Sequence, residues 1–186
     1  MSTPAPTLVI RTARLELHRT CEDTNIDALL EVFNSNPQWI AATDEFAGKT
    51  RYDRSDVEML LWQGTMGEGS TCLEARVAGQ EGPAGVVAWM APHPRDQCPW
   101  IGCIVLHADH QRQGLGSEVL RAVERLLAAA GWERVRASPL LTLPWAQAFL
   151  DSLGYTPVEE RLDQDKRRCM VMEKRLIAKP AEGPST

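Results

Sequence analysis

The sequence predicts one α/β (α+β) domain: a central mixed, mostly antiparallel sheet of about seven strands flanked by helices. Three observations carry that expectation. Short alternating or β-branched apolar runs are separated by turn residues, two amphipathic segments in the second half each stop at a glycine, and strand and helix patterns interleave as β α α β β β α β α β β. The composition agrees with one ordinary globular core, since 44% of the 186 residues are hydrophobic and 24% are charged.

"TLVIRTARLELHR" reads as a first strand, with Leu15 and Leu17 on one face after a β-branched start. Asp23 to Phe33 follows as a helix, because Ile26, Leu29, Leu30 and Phe33 recur at helical spacing. Periodicity is lost from Asn36 to Asp53, which reads as a long irregular connection, and Ser55 is placed as the cap of a second helix carrying Val57, Leu60 and Leu61. Strands are expected at Thr71–Val77, Val86–Ala91 and Pro99–Leu106, the first two joined by the hairpin signal "QEGPAG". Leu115 to Ala130 carries a continuous apolar stripe of Leu115, Val119, Leu120, Val123, Leu126 and Leu127, ended by Gly131. A strand at Arg134–Ser138, a helix at Leu143–Leu153 ended by Gly154, and strands at Tyr155–Glu160 and Arg167–Glu173 complete the domain, which spans 8–176 between loose tails at 1–7 and 177–186.

Charge and cysteine usage exclude several classes. The net charge is −5 and no basic run is longer than Lys166-Arg167-Arg168, so no nucleic-acid footprint is present, and a small or cationic partner fits better. No cationic start precedes an apolar stretch near the N-terminus, and no run approaches membrane-helix length, so neither a signal peptide nor a membrane partner is expected. Five cysteines, an odd number without a C-x-x-C pair, argue for reduced thiols and a cytoplasmic location. Cys98, Cys103, His107 and His110 form no expected metal set: on a regular strand the two cysteines lie far apart and point to opposite faces.

The chemistry concentrates in "HADHQRQGLGSEVL", between a strand ending at Leu106 and a helix beginning near Gly114. Such a junction gathers free backbone N–H groups at a helix N-terminus, an anion site, with glycines at 114 and 116 where a phosphate would approach. Arg112 adds a charge. A Walker A loop is excluded because no Lys follows either glycine, and a Rossmann fingerprint because Val119 stands where its third glycine belongs. Gln111-Arg112-Gln113-Gly114-Leu115-Gly116 instead resembles the Q/R-x-x-G-x-G/A acyl-CoA signature of the GNAT N-acyltransferase superfamily, and "FLDSLGY" resembles the family's late helix with its Gly-aromatic ending. The element order is similar to that fold over residues 8 to 176.

The resemblance implies an acetyl-CoA-dependent N-acetyltransferase that acylates a primary amine of a small molecule or a protein N-terminus by direct attack. It implies that the amides of Gln111, Arg112, Gln113, Gly114, Leu115, Gly116 and Ser117 surround the pyrophosphate, and that Ile104, Val105 and Leu106 pair with pantetheine. It also makes a homodimer plausible. No metal is implied. The expected catalytic groups are missing: the positions taken to share a face with Leu106 are Trp100, Gly102 and Ile104, and Leu150 stands where the family often has a tyrosine acid. Leu143 stands where the family often has Asn. Ser138 is the remaining catalytic candidate, with a plain turn serine as the competing reading; Asp44 and Glu45 are open as base, as cation binder or as solvated loop acids. Trp39 and Trp145 either line the acceptor mouth or simply pack. The rival function is a catalytically inactive CoA-binding regulatory domain.

Overall fold

The computed structural model describes residues 9–176, and the expected tails at 1–7 and 177–186 lie outside the described residues. The elements are β1 (Val9–Arg11), β2 (Leu15–Arg19), α1 (Ile26–Asn34), α2 (Pro37–Thr43), α3 (Arg54–Thr65), β3 (Ser70–Val77), β4 (Gly85–Met90), β5 (Trp100–Leu106), α4 (Leu115–Ala129), β6 (Arg134–Ala137), α5 (Pro144–Ser152), β7 (Thr156–Leu162) and β8 (Arg168–Arg175). They form one eight-stranded sheet in the order β1-β2-β3-β4-β5-β6-β8-β7. Every neighbouring pair is antiparallel except β5 and β6, which run parallel.

Three local expectations are corrected. The single first strand is a hairpin, because a turn at Thr12–Arg14 folds β1 back on β2; Thr12 N–H donates to the Leu15 carbonyl at 2.9 Å. The stretch after Asn36 is not irregular throughout: Pro37 opens the short helix α2, since proline suits a first helical position. Asp53, not Ser55, caps α3, in a capping box with Asp56, and the Ser55 hydroxyl donates to Asp53 instead. The count is therefore eight strands and five α-helices among the described residues.

Two apolar layers sandwich the sheet. On one face Leu17, Val87, Ile101, Val135 and Tyr155 pack with Leu115, Val119, Leu120 and Val123 of α4. On the other, α1 and α3 lay Leu29, Phe33 and Val57 over Cys72, Val86 and Val105. Fully burying each such aliphatic side chain contributes about 1.5–3 kcal/mol. Leu115, Val119 and Leu120 are at most 4% exposed, so the first turns of α4 are pinned to the sheet and the loop before them is held with them.

Candidate acyl-donor site

The loop from β5 to α4 begins with a short 3-10 turn at Ala108–His110 and then takes two left-handed steps, Arg112 at φ 61° and Gly114 at φ 80°. The first helical bond of α4 is Glu118 N–H to the Gly114 carbonyl, 3.1 Å, so the N–H groups of Leu115, Gly116 and Ser117 have no acceptor in the helix. These free amides lie at the helix N-terminus where anion binding is expected from the sequence. The two glycines serve different purposes. Gly114 is required by its backbone angle, whereas a Cβ on Gly116 would meet Phe149 and Leu106 at 3.5 and 3.6 Å and so points into the core, not toward a phosphate. The Gln111 side chain folds back on the loop: its amide donates to Asn36 Oδ1 at 2.6 Å and to the Leu106 carbonyl at 2.9 Å, so it fastens the loop to the end of β5.

β5 and β6 pair only at Trp100–Arg136 and Ile101–Ala137. Beyond that point the chain after β6 stays with β8, through Met170 N–H to Pro139 O at 3.0 Å and a bridge between Leu140 and Cys169, and leaves the far half of β5 without a partner on that side. His107 N–H bonds the Ala84 carbonyl at 2.8 Å, which sets the alternation of the ladder. Cys103 and Val105 exchange their backbone bonds with β4, while Ile104 and Leu106 turn theirs to the opening. Backbone pairing with an extended ligand is therefore available to Ile104 and to the Leu106 N–H, but not to Val105, whose groups bond β4, nor to the Leu106 carbonyl, which accepts from Asn36 and Gln111 at 2.9 Å each. Ser138 follows β6 where the two strands part and is half-buried.

One residue re-aims the strand. Ala88 pairs with Cys103 and Trp89 with Ile101, so Gly102 is an extra residue, a β-bulge, and it is exposed in the middle of the sheet. The face assignment made on a regular strand is corrected: Ile101 shares the α4 face with Leu106, and Trp100 lies on the other face with Cys98 and Val171. Glycine inside the apolar run "WIGCIVL" was the available signal. The Trp100 indole N–H lies 3.0 Å from both Asp96 carboxylate oxygens, and the Arg161 guanidinium stacks 4.5 Å from its ring. Burial would raise the Asp96 carboxyl, but bonds from Trp100, the Cys98 N–H and Arg136 outweigh it and hold it below its ordinary value.

The structure separates the two loop acids. Asp44 ends α2 in a left-handed conformation and accepts from Gly48 N–H at 2.8 Å, a turn residue. Glu45 turns toward Arg167 of the β7–β8 connection, 3.7 Å away, and Arg167 also bonds the Thr43 carbonyl. Burial, then the neighbouring Cys72 sulfur and the Glu45 charge, push the Cys103 thiol up to about 12, so it stays protonated and is no nucleophile. Leu150 and Leu143 are buried, and Leu143 begins α5 without a side-chain cap. Trp39 packs against Phe33 and Tyr52, whereas Trp145 is 47% exposed at the start of α5. His107 accepts from Asp109 N–H at 3.2 Å beside the loop. Among the described residues no group of three His, Cys, Asp or Glu side chains is arranged to hold a metal, and no helix is long and apolar enough to cross a membrane.

A helix N-terminus with free amides therefore stands beside a strand edge that opens where β5 and β6 part, within a mixed α/β sheet. The chain matches the acetyltransferase (GNAT) family over residues 26–155 and belongs to it, and acyl transfer is the chemistry of that family. Solved structures agree on the fold. An acetyltransferase from Thermus thermophilus is 23% identical, with 87% of this chain and 97% of that one covered at a TM-score of 0.66. RimL, a ribosomal-protein alpha-N-acetyltransferase in complex with coenzyme A, is 20% identical over 92% of this chain and 100% of that one, TM-score 0.68. A spermidine N-acetyltransferase from Vibrio cholerae, in complex with coenzyme A and spermine, is 11% identical over 89% and 97%, TM-score 0.66. No curated protein matches the sequence.

Proposed function

We propose that residues 8–176 act as one acyltransferase domain that moves an acetyl group from acetyl-CoA to a primary amine, of a small molecule or a protein N-terminus. One observation carries this reading: the unbonded amides of Leu115, Gly116 and Ser117 stand beyond the end of a strand whose Ile104 backbone groups and Leu106 N–H face an opening of their own. The first set suits a diphosphate and the second the amides of a pantetheine chain. The amine nitrogen attacks the thioester carbonyl carbon, the N–C bond forms, the C–S bond breaks, and the sulfur leaves as a thiolate that takes up a proton. A β5 N–H facing the opening donates to the carbonyl oxygen as its charge grows. Direct transfer agrees with the buried Cys103 and Cys72 thiols, which burial pushes up to about 12 and about 11. Ser138, where β5 and β6 part, is assigned to protonate the thiolate, and Glu45 to receive the proton the attacking amine loses. All five cysteines are free thiols, which supports a reducing, cytoplasmic setting.

A second reading, an inactive CoA-binding regulatory domain, is favoured by Leu150, whose buried side chain supplies no proton donor. Purified protein separates the two. Release of free thiol from acetyl-CoA on addition of amines, across a panel of polyamines, aminoglycosides and N-terminal peptides, supports the enzyme. CoA binding with no thiol release on any of them supports the regulatory domain, and no CoA binding removes both.

A further inference from the structure

We propose that Arg14, a hundred residues upstream of the loop, is the positioning residue that sets the direction of the loop's Gly114 N–H for the donor's diphosphate; this rests on the acyl-donor reading above. Arg14 is the last residue of the β1–β2 turn and holds Glu118 twice, through its backbone N–H to Oε1 at 2.8 Å and its Nε to Oε2 at 2.8 Å. The Thr12 hydroxyl donates to the same Oε1 at 2.5 Å. With the guanidinium Nε fixed on that carboxylate, its Nη1 donates to the Gln113 carbonyl at 2.9 Å.

That last bond has a directional consequence. In a trans peptide the C=O and the following N–H point in opposite directions, so a Gln113 carbonyl held toward Arg14 turns the Gly114 N–H away from it. The Gln113 side chain is tied down as well, to the Asp109 carbonyl at 2.6 Å. A Cβ on Gly114 would lie 3.4 Å from the guanidinium, which shows how closely Arg14 lies against the loop. Glu118 closes the arrangement, since its own N–H makes the first helical bond of α4 to the Gly114 carbonyl. The Arg14–Glu118 pair is neutral as a unit, so its effect on an anion comes from geometry more than from charge. A planar fork can reach two acceptors at fixed angles and an ammonium cannot, so lysine does not replace it.

The test uses the full chain with Arg14→Lys, Arg14→Met and Glu118→Gln. Affinity is measured by calorimetry for CoA and for dephospho-CoA, which lacks the ribose phosphate, and by NMR for pantetheine, which lacks the diphosphate. All three variants are expected to weaken both nucleotides about ten-fold, with pantetheine unaffected. Unchanged nucleotide affinity in Arg14→Met overturns the proposal. So does an equal loss for pantetheine, which marks general damage, or a loss confined to CoA, which makes Arg14 a ribose-phosphate ligand. Rescue by Arg14→Lys overturns it too. Wild-type protein that binds neither nucleotide fails the acyl-donor reading itself, whereas wild-type binding with indifferent variants fails only the positioning role.

Discussion

Residue by residue, the donor half and the catalytic half of the site are built differently. The donor half is mostly backbone, which a few side chains aim: Gln111 through Asn36 and Leu106, Gln113 through Asp109 and Arg14. For the catalytic half, the proposed chemistry rests on one hydroxyl, that of Ser138, and one carboxylate, that of Glu45, which lies 3.7 Å from Arg167. Ser138→Ala is expected to lower kcat about 100-fold while leaving CoA affinity unchanged, the size of a lost general acid. Steady-state kinetics on the first accepted amine, with calorimetry in parallel, decides it, and an unchanged kcat returns Ser138 to the plain turn reading. The signature "QRQGLG" was legible because its residues sit where a helix must begin. The separate uses of its members were not, because sequence spacing does not say which groups a side chain bonds, as Gln111 bonds Asn36 and Leu106, or where a missing Cβ would point, as at Gly116.

Among the secondary-structure elements, the β1–β2 hairpin and α4 act as a joined pair through Thr12, Arg14 and Glu118. Burial would raise the Glu118 carboxyl, but the Thr12 hydroxyl and the Arg14 backbone and side chain hold it below its ordinary value of 4.5. A carboxyl depressed on folding adds stability above that ordinary value and loses it as the pH falls through the folded one. The stability gap between wild type and Glu118→Gln, from urea unfolding, is therefore expected to be full at neutral pH and to close in acid; a gap independent of pH contradicts the assigned bonds. The hairpin itself was hidden in sequence because "RTAR" contains neither glycine nor proline. α2 was hidden because only Ile40 of its seven residues is buried, too little for a helical period. The bulge at Gly102 had the larger effect, since one extra residue reverses every face assignment on its far side. By contrast, α4 was legible from end to end: its stripe faces one core and its two ends carry glycines.

Across the molecule as a whole, the sheet anchors the β5–α4 loop through the buried start of α4 and divides the domain into two faces, with α4 and α5 on one and α1 to α3 on the other. The one parallel pair, β5 and β6, is also where the sheet opens, because the chain beyond β6 follows β8. Fold class and donor loop could be read from local pattern; the opening could not, because it depends on which of two strands a segment follows. That this opening and the α4 N-terminus together bind CoA is checked by equilibrium unfolding of wild type and Gly114→Glu over a CoA series. Wild-type stabilisation should grow with the logarithm of CoA concentration, reaching about 2.7 kcal/mol at one hundred times Kd, with none in the variant. Wild-type stability that does not respond to CoA would mean that the cleft is no CoA site.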